Sequence, residues 1–132
     1  MITFDFDETL TRPIWDAKYQ LFEPSENPNY DSFTKLKKFY EQGEKISIVT
    51  TRWRSLEIVD FVEKYSLPIS SIHCTKGELK GDLLLELNAK LHFDDSEEEA
   101  TYNKKLGIAT VVVSYCFDNT VNSDLCKFSL FL

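Results

Sequence analysis

Phe4-Asp5-Phe6-Asp7-Glu8-Thr9-Leu10-Thr11 stands directly after Ile2-Thr3, and the apolar run Ile2-Thr3-Phe4 reads as a strand whose end carries the acidic residues. Asp5 and Asp7 lie two positions apart, which in extended backbone points both side chains to the same side. Two carboxylates held close together in a partly desolvated crevice resist ionisation unless a cation sits between them. Magnesium, which favours oxygen ligands, is the expected ion. Acidic pairs at strand ends are usually solvated turn residues, and only a longer pattern makes this one specific.

The 132 residues fit a single domain, 1–132, with one core and no room for a second domain. A formal net charge of −7 argues against a sequence-independent grip on a phosphate backbone, and 14% aromatic residues indicate a filled core rather than disorder. Cys74, Cys116 and Cys126 are an odd number without metal-type spacing, as expected for a reducing compartment. The N-terminus shows no basic region followed by an apolar run, and no apolar stretch approaches the roughly 18 residues of a membrane span. The expectation is a cytoplasmic protein with no membrane partner.

Residues 13–30 contain Pro13, Pro24 and Pro28 together with Trp15, Tyr19 and Phe22. Prolines so placed exclude a continuous helix, so this segment is expected to be a long excursion or flap with a short hairpin around Ala17–Phe22. Trp15 and Tyr19 are candidates to stack on a base or sugar, the alternative being that they fold back on the core. Asp31 is placed to cap a helix bearing Phe33, Leu36, Phe39 and Tyr40, with Gly43 just past its end. Ile46–Thr50 reads as a buried strand, a helix starts near Ser55 and stops before Pro68, and a third strand covers about 69–75. A helix over about 81–88 carries Leu83, Leu84, Leu85 and Leu87, an apolar surface that predicts deep burial.

Leu91-His92-Phe93 is a short strand ending in Asp94-Asp95, with His92 read as structural. Ser96 and Glu99 then form a capping box for a helix running to Leu106, Gly107 ends it, and 108–114 is a β-branched fifth strand. The apolar end of the tail 115–132 is suited to an edge strand whose partner the pattern does not specify. Strands alternating with helices in this way predict an α/β domain with a mostly parallel sheet, in which ligands bind outside the carboxyl ends of the strands. Those ends carry Asp5, Asp7, Thr50, Asp94 and Asp95.

Asp5-Phe6-Asp7-Glu8-Thr9-Leu10-Thr11 has the form D-x-D-x-T-L-T after an apolar run, and three further stretches follow it. They are Ile48-Val49-Thr50-Thr51-Arg52, the lysine-bearing Thr75-Lys76-Gly77-Glu78-Leu79-Lys80, and Leu91-His92-Phe93-Asp94-Asp95-Ser96. In this order, over residues 4–96, they resemble the four motifs of the haloacid dehalogenase (HAD) superfamily of phosphohydrolases. The resemblance implies a three-layer, Rossmann-like (HAD-like) domain without a cap, and a magnesium-dependent phosphomonoester hydrolase acting on a phosphorylated small molecule such as a nucleotide or sugar phosphate. It implies Asp5 as nucleophile and Asp7 as general acid and base. Thr50 would offer a hydroxyl to the phosphoryl group, with its neighbour Thr51 as rival. Lys80, favoured over Lys76, would offset the negative charge. Mg2+ would be held by Asp5, Asp7 through its backbone carbonyl, and Asp95, with Asp94 ranked behind Asp95.

Two alternatives compete. A phosphoacceptor module of the receiver type uses the same residue kinds, but its acidic pair follows the first strand and its acceptor the third. A phosphatase acting on polynucleotide ends suits an open site and conflicts with the net charge of −7.

Overall fold

The computed structural model describes residues 1–132. In chain order the elements are β1 (Ile2–Phe4), β2 (Thr11–Asp16), β3 (Leu21–Pro28), α1 (Tyr30–Glu41), β4 (Ile46–Thr50) and α2 (Leu56–Lys64). They continue with β5 (Ser71–Cys74), α3 (Gly81–Glu86), β6 (Leu91–Asp94), α4 (Glu97–Lys105), β7 (Ala109–Asp118) and β8 (Ser123–Phe131). No helix is long and apolar enough to cross a membrane.

β1 is short, yet it is central, pairing in parallel with β4 on one side and β6 on the other. The main sheet runs β5-β4-β1-β6-β7-β8, parallel except for β8. Side chains alternate across this sheet, so β4 sends Ile46 and Ile48 to one face and Val49 to the other. The first face packs with Phe33 and Leu36 of α1 and Ile58 and Phe61 of α2. Val49 packs with Leu84 of α3 and Ile108 ahead of β7, on the opposite face. Helices thus cover both faces, giving the three-layer α/β arrangement expected from the sequence.

Several local expectations need correction. Asn29, not Asp31, caps α1: its Oδ1 accepts from Ser32 N, while its Nδ2 donates to Thr9 O and to Tyr115 Oη at 3.1 Å each. Asp31 falls in the first turn and pairs with Arg12. The leucines of α3 are not deeply buried as a group, because consecutive leucines spread around the short helix: Leu84 is fully buried, Leu83 and Leu87 are half-buried against the same cluster, and Leu85 is 46% exposed. Ser96 caps α4 through Glu99 N, but the Glu99 side chain turns to Lys80 N instead of closing the capping box.

The 13–30 excursion is a larger hairpin than expected, β2 against β3, with a register shift between Arg12 and Ile14 at Pro13. A two-stranded ribbon leaves free edges, where proline's missing N–H costs least. The tail, left unplaced by the sequence pattern, returns as β8 along the whole length of β7, which extends to Asp118. The two hairpins brace each other: Trp15 stacks on Phe117 at 4.8 Å, Phe22 packs by Tyr115, and Arg12 pairs with Asp124.

The cap correction is checked by two alanine variants. Asn29→Ala removes a cap and leaves a buried carbonyl and hydroxyl short of a donor, so urea unfolding should show a loss of about 2 kcal/mol. Asp31→Ala, at an exposed side chain, should cost at most about 0.5 kcal/mol. Equal losses at both positions would contradict the assignment.

Candidate active site

β1 ends at Phe4, and Asp5 N still donates to Phe93 O at 2.8 Å, so Asp5 enters the gap between the ends of β1 and β6 in strand-like register. The chain then folds tightly, with Thr9, Leu10 and Thr11 N–H groups all directed at Phe6 O and Glu8 in a left-handed conformation at φ 58°. Tyr115 Oη donates to Glu8 O at 2.5 Å, and Asn29 holds Thr9 O. The acidic loop is therefore fixed from β7 and from the cap of α1.

Lys80 lies just ahead of α3 and is 2% exposed. Its Nζ donates to Asp94 Oδ2 at 2.6 Å and lies 2.9 Å from Asp5 Oδ1, while its backbone N–H donates to Glu99 Oε2 at 3.0 Å. Asp94 Oδ2 also meets His92 Nε2 at 2.7 Å, and His92 Nδ1 meets Thr3 Oγ1 at 2.8 Å. Ser96 N donates to Asp94 Oδ1. A buried polar chain, Thr3–His92–Asp94–Lys80–Asp5, thus runs from inside the sheet to its carboxyl edge.

Charge is unevenly borne along this chain. Burial, and then the nearby Asp94 charge, raise Asp5 well above the ordinary carboxylate range against the opposing pull of Lys80. Burial also raises Asp94, but the His92 hydrogen bond and the Lys80 charge outweigh it and hold Asp94 low. Burial pushes Asp95 up to about 6, and Asp94 and Glu8 add repulsion. Ligand atoms of Asp5, Asp94 and Asp95 all lie within 4.8 Å of one another. An all-oxygen set with more negative charge than Lys80 alone offsets fits a hard divalent cation such as Mg2+.

The sequence-derived candidates converge, with differences. Asp5, Asp7, Thr51, Lys80, Asp94 and Asp95 border one cleft of about 650 Å3. Lys76, at φ 55°, does not border it; Lys80 is the lysine that reaches Asp5. Thr50 is fully buried and its hydroxyl accepts from Arg52 N, so of the two threonines Thr51 is the one facing the cleft. Trp15 and Tyr19 do not border it either, because Trp15 is stacked on Phe117 and Tyr19 points outward, 64% exposed. Pro24 and Ser25 of β3 form the flap's contribution to the wall.

Three partners were not assigned from the sequence. Arg52 grips Asp7 with two parallel bonds, Nε to Oδ2 at 2.9 Å and Nη2 to Oδ1 at 2.7 Å, and also donates to Glu57. Glu99 anchors the Lys80 backbone, and His92 orients Asp94. Arg52 belonged to a noted motif, but its partner is far away in sequence and only the folded sheet brings them together. Compared with known proteins, the chain matches no family model, and no curated protein is significantly similar to it.

The raised Asp95 sets a pH test. A carboxyl whose folded pKa lies near 6, above its ordinary 3.8, binds its proton more tightly when folded, so stability falls as pH rises through that window. In EDTA, Asp95→Asn should match the wild type near pH 4 and become the more stable protein by pH 7. Added Mg2+ should raise the wild-type Tm at pH 7.5 and have little effect on the variant. A stability gap that does not depend on pH would overturn the assignment.

Proposed function

We propose that this protein is a magnesium-dependent phosphomonoester hydrolase of the HAD type, working through an aspartyl-phosphate on Asp5. The observation that carries this reading is the buried Lys80 ammonium shared between Asp5 and Asp94, with Asp95 alongside, at the carboxyl ends of adjacent parallel strands. An aspartate so held presents its carboxylate to the cleft while the lysine stands ready beside an incoming phosphoryl group.

In the first step an Asp5 oxygen attacks phosphorus, the bond from phosphorus to the leaving oxygen breaks, and Asp7 gives that oxygen its proton. In the second, water attacks the acyl phosphate, Asp7 takes the water's proton, and inorganic phosphate leaves with Asp5 restored. Asp5, Asp95 and the Asp7 backbone carbonyl, with Asp94 behind them, would hold Mg2+, which supplies positive charge next to the phosphoryl oxygens. Thr51 offers a hydroxyl to those oxygens from the cleft wall, and the buried Thr50 supports the turn that places it. Both Asp7 oxygens are occupied by Arg52, so proton transfer requires that pair to open during turnover.

The sheet order argues against the receiver-type alternative. Counting only the parallel strands, the order is 3-2-1-4-5, whereas receiver-type domains place their strands 2-1-3-4-5. The cytoplasmic location expected from the sequence stays part of this proposal.

Turnover of p-nitrophenyl phosphate with Mg2+, and its loss in EDTA, is the direct test. Asp5→Asn should fall to background while remaining folded, and Lys80→Ala should lose about 10²–10³ in kcat, with Lys76→Ala near wild type. Substantial activity in a folded Asp5→Asn protein would refute the nucleophile.

His92 gives a finer test, as a positioning residue acting through Asp94. A glutamine amide reaches the place of Nε2 and restores the donor to Asp94, whereas asparagine reaches only the place of Nδ1. His92→Gln should therefore retain most of kcat and His92→Asn should lose it, with KM changed little in either. If the two variants behaved alike, His92 would be a packing residue only.

A further inference from the structure

We infer that the leaving group of the substrate brings hydrogen-bond donors and no second negative charge, as in a phosphorylated polyol, amino alcohol or amino sugar. This rests on the hydrolase reading of the same cleft and narrows it. Apart from Leu79 and Pro24, the cleft is lined by polar side chains, with no aromatic ring among them. Inside the cleft a nucleobase has no ring to stack on: Trp15 is stacked on Phe117 and outside it, and the exposed Trp53 does not border it.

Lys80 is the one cation that borders the cleft, and Arg52 is held on Asp7 beside it. Lys80 is divided between Asp5 and Asp94, and Arg52 between Asp7 and Glu57. Within the cleft a second phosphate or a carboxylate on the leaving group would meet no cation free of a carboxylate partner, and would instead face the carboxylates of Glu8, Glu78 and Glu98. None of these three has a hydrogen-bond or ion-pair partner for its side chain, so each presents free acceptors. Thr51 is the one unpartnered hydroxyl on that wall. A wall rich in acceptors and poor in donors selects a ligand that supplies donors, since an unmatched acceptor loses its water without replacement. At about 650 Å3 the cleft admits a group of monosaccharide size.

The test uses the full chain with Mg2+ and compares kcat/KM for glucosamine 6-phosphate, glucose 6-phosphate, fructose 1,6-bisphosphate and adenosine 5′-monophosphate, with p-nitrophenyl phosphate as the reference. The two monophosphorylated sugars should exceed the bisphosphate and the nucleotide by at least about tenfold. The glucosamine arm separates ammonium from hydroxyl donors. In the double variant Glu78→Gln/Glu98→Gln, at two exposed positions, the preference should shrink severalfold, and in the wild type it should weaken as salt is raised.

Equal or better turnover of the nucleotide or bisphosphate would overturn the inference while leaving the hydrolase reading intact. So would a preference indifferent to both the variant and salt. Absence of turnover on every ester, the aryl phosphate included, would remove the hydrolase reading and this inference with it.

Discussion

The ammonium of Lys80 is the interaction on which the candidate site depends. Burying an ion costs several kcal/mol, and the protein offsets this by bringing two carboxylates from neighbouring strands onto one nitrogen, Asp5 after β1 and Asp94 at the end of β6. The dependence runs both ways, since without Lys80 those carboxylates would face each other in a buried gap. The remaining members of the cluster fix the three that matter. Glu99 holds the Lys80 backbone, Ser96 N and His92 occupy Asp94, and Thr3 sets the imidazole. A hydrophobic replacement of similar volume is often no worse for stability, so the ion pairs alone do not account for the network as a folding device.

The loop from Asp5 to Thr11 is held as firmly as the lysine. Glu8 adopts a left-handed backbone, which disfavours a side chain with a Cβ by about 1–2 kcal/mol. Tyr115 donates to Glu8 O and Asn29 donates to Thr9 O, so the strained turn is tied down on both sides. Asn29 in turn caps α1, and Tyr115 lies on the β7–β8 hairpin that braces the flap. The tail thereby acts on the site without bordering it: its pairing keeps β7 extended far enough to present Tyr115.

What was legible in the sequence followed from local spacing. Asp5, Lys80, Asp94 and Asp95 sit at element ends marked by an apolar run, a glycine or a cap, and the parallel sheet brings those ends together. Less legible were features set by partners distant in the chain. The apolar end of the tail pointed to an edge strand but not to its neighbour, and Trp15 looked free to stack because Phe117 lies about a hundred residues on. Local pattern pointed to Asp31 as the cap; Asn29 takes the role and also satisfies Thr9 and Tyr115, neither of which local pattern includes. The α3 leucines misled for another reason, since a run of apolar residues in a short helix must point in several directions, and only Leu84 ends fully buried.

The grip of Arg52 on Asp7 is a feature of the resting site that opposes the proposed chemistry. A carboxylate bonded through both oxygens to a guanidinium has neither oxygen free to meet the leaving group. The pair is nonetheless built to open. Half of the Asp7 side chain is exposed, so water replaces the hydrogen bonds lost when the pair opens. Arg52 also keeps Glu57 as a counter-ion and stays over the Phe6 ring at 5.0 Å, so releasing Asp7 strands no bare cation. A phosphoryl group entering the cleft would bring negative charge that competes with Asp7 for the Arg52 guanidinium and so loosens the pair. Substrate entry and release of the acid are then the same event, which ties proton donation to an occupied site.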